Sequence, residues 1–134
     1  MKTYIVAYVS TLLVMLVLDG LWLGVLMGST YKSMLGSMML DKPLWGPAGV
    51  FYLLYAFGLL FFAVNPALGD GGVWRALGLG AMVGLIAYGT YDLTNWATLT
   101  GWPPRLAMMD LAWGIVVSAL VAAASVFATQ KWGY

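Results

Sequence analysis

The chain has 134 residues, of which 63% are hydrophobic and 8% charged, and its formal net charge is +1. Because soluble domains carry roughly 25% charged residues, this composition indicates a membrane protein, and the few scattered basic residues argue against nucleic-acid binding. The sequence contains no histidine, cysteine or glutamate, which excludes histidine-based acid–base catalysis and any zinc, haem or iron–sulfur centre held by His or Cys.

Four apolar stretches approach the roughly 20 residues that a helix needs to span a bilayer. All five prolines are expected at the breaks between them, and strands are not expected, because an open sheet edge cannot face lipid. The sequence therefore predicts an all-α polytopic membrane protein, a four-transmembrane-helix bundle forming a single domain over residues 1–134. The predicted spans are residues 4–27, 49–64, 73–96 and 106–129.

The first span contains an acidic residue, Asp19, on the same helical face as Trp22. A carboxylate is costly in hydrocarbon, so it is expected to face a partner, a cavity or a proton pathway. In the loop that follows, apolar residues recur at helical spacing, which predicts a short interfacial helix over residues 29–40.

The second and third spans add polar groups to the same half of the bundle. Tyr52 and Tyr55 lie in the second span. In the third, Gly80 and Gly84 form a G-x-x-x-G spacing that permits close approach of another helix, which predicts a central position for this span and offers one homo-oligomer interface. One face of the third span carries four polar residues at positions i, i+3, i+4 and i+7: Tyr88, Tyr91, Asp92 and Asn95.

Asp110 lies about four residues after the start of the fourth span, and Trp113 follows on one side of the helix. We call the end of the bundle that bears the first and third loops (residues 28–48 and 98–105) the loop face. All three intramembrane aspartates fall roughly 6–12 Å below it, at 1.5 Å of rise per residue. The candidate ligand- or proton-binding residues are Asp19, Trp22, Tyr52, Tyr55, Tyr88, Tyr91, Asp92, Asn95, Asp110 and Trp113.

These aspartates admit two interpretations. In the first they are structural: they cap helix ends, bond to Tyr, Trp or Asn, or pair with Arg105 and Lys42. In the second they form a pocket in which neighbouring carboxylates share a proton or bind a cation and titrate as a unit. Asp19 lies deepest and favours the second interpretation. The spacing matches no recognised metal motif, so no metal site is predicted and no cofactor is assigned.

Four motifs stand out along the chain: D-G-L-W-L-G at 19–24, F-Y-L-L-Y at 51–55, Y-G-T-Y-D-L-T-N at 88–95 and D-L-A-W-G at 110–114. In this combination the chain resembles a family of small bacterial four-helix integral membrane proteins, a domain of unknown function. Gly89 stands where alanine is expected and Ala107 where a hydroxyl residue is usual, and neither departure touches an aspartate. The resemblance covers nearly the whole chain and implies a polytopic inner-membrane protein, but it implies no activity.

The predicted function is binding or movement of a proton, a cation or a small cationic ligand in the intramembrane carboxylate and tyrosine pocket. The alternatives are an accessory subunit of a larger membrane complex and a lipid-acting enzyme, which the lack of His and Cys disfavours. Expected partners are membrane lipid and either further copies of the chain or a larger complex. The expected location is the bacterial inner membrane. Basic residues are equally divided between the two sides, so the free amino terminus beside Lys2 decides for cytoplasmic termini.

Overall fold

Helices account for all the regular structure of residues 1–40 and 42–134, which the computed structural model describes, and no strand occurs among them. Four helical segments are long and apolar enough to cross a membrane, which confirms the predicted all-α bundle, and a short helix lies in the first loop. The α-helices are α1 (Lys2–Leu21), α2 (Gly28–Leu35), α3 (Trp45–Leu59), α4 (Asn65–Gly69), α5 (Gly72–Thr98) and α6 (Pro104–Trp132).

Two of the four spans continue beyond an α-helix through a π-helical turn. The turn Trp22–Leu26 extends α1, so the first span is Lys2–Leu26. The turn Leu60–Val64 joins α3 to α4, so the second span is Trp45–Gly69. Such turns have wider hydrogen-bonded rings than the α-helix, so they change the direction in which the following side chains point.

The second span is longer than the predicted stretch 49–64 because two prolines are accommodated inside it. Pro47 lies in the first turn of α3, where a backbone N–H has no obligatory helical partner, and Pro66 follows directly on the π-helical turn, where the regular α-helical bonding pattern changes. At the far end, Arg75 Nη1 donates to the carbonyl oxygens of Pro66 at 3.2 Å and Asp70 at 3.1 Å. The Pro66 carbonyl also accepts the Asp70 backbone N–H at 3.1 Å, so Arg75 adds a side-chain donor at this helix end.

The most buried helix is α6 rather than α5, which the sequence predicted to be central. Eleven residues of α6 are buried, whereas only five residues of α5 are buried. Many of these α6 residues are small, so α1 and α5 can pack closely on it. On the α1 side, Thr11 Oγ1 donates to Ser125 Oγ at 2.8 Å, and Ser125 Oγ donates to the Ala7 carbonyl at 2.9 Å.

The glycine pair of α5 makes its close approach inside the chain. A Cβ at Gly80 would lie 2.6 Å from the Ser118 carbonyl oxygen, and a Cβ at Gly84 would overlap the Gly114 carbonyl. The helix that the G-x-x-x-G spacing admits is therefore α6 of the same chain. This stripe is not free to form the homo-oligomer interface considered from the sequence.

The two halves of the bundle are filled differently. At the terminal face, opposite the loop face, Thr3 Oγ1 donates to the Gly133 carbonyl at 2.7 Å and joins the two ends of the chain. Small aliphatic side chains fill this half, whereas aromatic and acidic side chains gather in the half below the loop face. The buried cluster of the terminal half consists of Ala7, Leu60, Ala63, Val64, Ala67, Ala76, Ala122 and Val126.

Candidate functional site

Asp19 is held between two neutral donors from other helices. It is 7% exposed and lies on α1, just before the first π-helical turn. Tyr52 Oη of α3 donates to Asp19 Oδ2 at 2.9 Å, and Trp113 Nε1 of α6 donates to Asp19 Oδ1 at 3.0 Å. Because neither donor is charged, the two bonds fix the position of the carboxylate without neutralising its charge.

The first loop folds back over α1 and places Tyr31 in the same half of the bundle. The return needs a glycine at position 28, because a Cβ there would overlap the Leu23 carbonyl. Tyr31 Oη accepts a bond from Trp22 Nε1 at 2.8 Å and donates to Asp110 Oδ1 at 2.8 Å. One phenol thus connects the end of the first span, the loop helix α2 and the start of α6.

Tyr31 remains a donor over a wide pH range. Burial raises the pKa of the Tyr31 phenol above its ordinary value, and the bond from Trp22 opposes this shift. The negative charge of Asp110 raises the pKa further. The phenol therefore keeps its proton, and its bond to Asp110, at neutral and moderately alkaline pH.

A cavity of about 430 Å³ lies among these groups, within the size range of small-molecule sites. Trp22 and Trp113, which both line it, stack with ring centroids 4.3 Å apart and planes 3° from parallel. Seven of its twelve lining residues are aromatic and two are acidic. The lining consists of Asp19, Trp22, Leu23, Tyr31, Met39, Phe51, Tyr52, Ala87, Tyr88, Tyr91, Asp110 and Trp113.

Asp92 lies behind this lining and faces Asp110. Its side chain is 0% exposed, and no N–H or O–H donor in residues 1–40 and 42–134 reaches either carboxyl oxygen. The neighbouring ionisable group is the carboxyl of Asp110 on α6. Because an ionised carboxylate only accepts, a bond between these two groups exists only when one of them carries a proton.

The structure brings together most of the site residues expected from the sequence. Three of the ten candidate residues, Asp92, Tyr55 and Asn95, do not line the cavity. Asp92 lies behind the lining, as described above. Tyr55 lies deeper, with its Oη 2.6 Å from Ser118 Oγ, and Asn95 is half-buried nearer the end of α5. The seven that line it are Asp19, Trp22, Tyr52, Tyr88, Tyr91, Asp110 and Trp113.

Sequence reasoning missed five lining residues. Tyr31 is the most consequential, because it was interpreted only as part of the apolar face of the loop helix. Its aromatic hydroxyl, the single phenol in the segment 29–40, was the one available signal. Phe51 adjoins Tyr52 and Leu23 adjoins Trp22 in motifs already noted, whereas Met39 and Ala87 carried no signal that separates them from lipid-facing residues.

The basic residues considered as partners of the aspartates do not supply the bonds to Asp19. Tyrosine and tryptophan do so, as described above. Arg105 instead borders a separate, polar pocket with Ser29, Thr30, Ser33 and Met34 at the loop face.

Comparison with known families identifies the chain at the level of its family. The family described as "Predicted membrane protein (DUF2177)" matches residues 4–127. The chain therefore belongs to this family of membrane proteins of unknown function, in agreement with the resemblance noted in its motifs. No curated protein and no solved structure matches significantly.

Proposed function

We propose that this member of the family binds a small organic cation in the aromatic cavity below the loop face. The observation that carries the proposal is the charge of the lining. Asp19 and Asp110 contribute carboxylates, and none of the described residues that line the cavity is Lys or Arg. A cavity with acidic groups and without basic ones favours a positively charged occupant.

The aromatic lining favours an organic cation over an inorganic one. A cation over the face of Trp or Tyr gains about 0.5–1 kcal/mol at exposed sites and about 2 kcal/mol or more when desolvated. Mg²⁺ and Ca²⁺ instead require several oxygen ligands around one point. Within residues 1–40 and 42–134, no group of three or more acidic side chains has the arrangement of such a site.

The packing of the terminal half of the bundle supports a ligand site that is confined to the half nearer the loop face. The small aliphatic cluster fills the terminal half, so the space for a ligand lies in the half nearer the loop face. In this proposal the protein resides in a bacterial inner membrane with both termini in the cytoplasm. The cavity then lies in the outer half of that membrane.

Charge selectivity tests the proposal. The full chain in lipid nanodiscs is titrated calorimetrically with benzyltrimethylammonium and with its neutral carbon isostere neopentylbenzene, and heats from protein-free nanodiscs are subtracted. Cation–π contacts and two carboxylates should make the cation bind on the order of tenfold or more tightly than the isostere. Equal affinities for the two compounds, or no saturable binding of the cation, would contradict a cation site.

A further inference from the structure

Asp92 is a buried acid whose environment contains no donor for its ionised form. Both carboxyl oxygens are buried and unbonded by any N–H or O–H among the described residues, and the side chain is 0% exposed. An isolated ionised carboxylate in such surroundings would be strongly unfavourable. A proton shared with the neighbouring Asp110 carboxyl removes this difficulty, because one acid then donates to the other.

Other groups around the pair do not compensate its charge. Tyr31 of α2 and Tyr91 of α5 are the phenols near both acids, and Asp19 of α1 lies close enough to repel Asp110. Tyr31 donates to Asp110 but is neutral, and a third carboxylate adds negative charge. The described neighbours of the pair named above supply no positive charge, so the pair needs an added one, either a proton or a bound cation.

The positions of the two acids let a ligand in the cavity replace that proton. Asp110 lines the cavity, whereas Asp92 lies behind it, so only Asp110 is directly accessible to a ligand. A cation beside Asp110 offsets the same repulsion between the acids that the proton offsets. The two positive charges therefore compete for one pair of carboxylates.

We infer that the Asp92–Asp110 pair holds one proton in the ligand-free protein and releases it when an organic cation binds in the cavity. This exchange rests on the proposed cation site and adds to it a coupling to the proton. The O–H bond of one carboxylic acid breaks, the proton passes to solvent, and two carboxylates remain: Asp110 next to the cation and Asp92 behind Asp110. The charge balances, because the pair changes from −1 to −2 while the bound ligand brings +1.

The exchange sets the direction of the pH dependence. Protons compete with the cation, so binding tightens as pH rises through the range in which the pair loses its proton and weakens as pH falls. Linkage of one proton to one ligand corresponds to about a tenfold change in affinity per pH unit within that range. Without the exchange, the affinity would not follow this slope.

Calorimetry in two buffers with different ionisation enthalpies counts the released protons. For the full chain in nanodiscs, titration with benzyltrimethylammonium should release about one proton per bound cation in the pH range where affinity is pH-dependent. Asp92→Asn places an amide donor beside Asp110 and removes the shared proton. This variant should bind the cation with no proton release and with an affinity that does not vary with pH.

Two further variants keep the test decisive. Asp70→Asn makes the same substitution at an exposed aspartate between α4 and α5, and it should release protons as the unaltered chain does. If Asp92→Asn does not fold, Asp110→Asn removes the same pair from the other side and should also abolish proton release, with weaker binding because Asp110 lines the cavity.

The outcomes separate this inference from the cation site itself. Saturable binding without proton release by the unaltered chain overturns the exchange and leaves the cation site intact. Unchanged proton release in Asp92→Asn also overturns the exchange. Absence of binding at every pH overturns the cation site and the exchange together. Release that is present in the unaltered chain and lost in Asp92→Asn supports the exchange.

Discussion

Asp19→Asn is expected to weaken the binding of benzyltrimethylammonium by about tenfold to a hundredfold. A hydrogen bond or contact to a charged group contributes on the order of 1.5–3 kcal/mol, and about 1.4 kcal/mol corresponds to tenfold in affinity. The substitution preserves the size of the side chain and removes its charge. Calorimetric titration of the variant in nanodiscs gives the change in Kd.

Two controls separate charge from position at Asp19. Asp70→Asn removes a carboxylate far from the cavity, so its Kd should equal that of the unaltered chain. Tyr52→Phe removes one donor to Asp19 but keeps the charge, so it should weaken binding less than Asp19→Asn does. If Asp19→Asn lowers the yield of folded protein while Kd is unchanged, Asp19 is structural, and the accessory-subunit function becomes the better account.

Gly84→Ala is expected to destabilise the bundle by about 1–3 kcal/mol, because a new methyl group would be forced into a closely packed seam. The added Cβ would overlap the Gly114 carbonyl of α6 and lie 2.8 Å from Ser118 Oγ. The two helices would have to separate, and α6 also carries Trp113 and Asp110 into the cavity wall. The free energy of unfolding in mixed detergent micelles measures the effect.

Gly78→Ala is the matched control on the same helix. No atom lies within 4 Å of the Cβ that it would add, so the methyl group meets no obstacle. Alanine in a helix is more favourable than glycine by about 1 kcal/mol, so this variant should be as stable as the unaltered chain or more so. Equal losses in Gly84→Ala and Gly78→Ala would mean that the seam between α5 and α6 is looser than the structure indicates.

The class of fold and the depth of the site in the membrane could be predicted from the sequence, because both depend on the lengths and hydropathy of the apolar stretches. Four apolar stretches give four spans, and the position of each aspartate along its span gives its depth. The ends of the spans were less predictable. Proline within the first turn of a helix has the same sequence signal as proline at a break, so Pro47 and Pro66 shortened the predicted second span.

The direction in which side chains point could not be predicted from periodicity alone. Asp92 and Asp110 lie at similar depths, yet only Asp110 lines the cavity, whereas Asp92 is fully buried behind it. Tyr31 was missed for a related reason. Its position depends on the π-helical turn and on the return of the chain at Gly28, and neither feature has a hydropathy signature.

The most direct test of the cation site is to locate a cation within the folded chain. Crystals grown with 4-iodobenzyltrimethylammonium would show the iodine by its anomalous scattering. A single strong peak inside the cavity, among the aromatic rings that surround Asp19 and Asp110, is the predicted result. Peaks confined to the lipid-facing surface, or to the polar pocket beside Arg105, would contradict the proposed function.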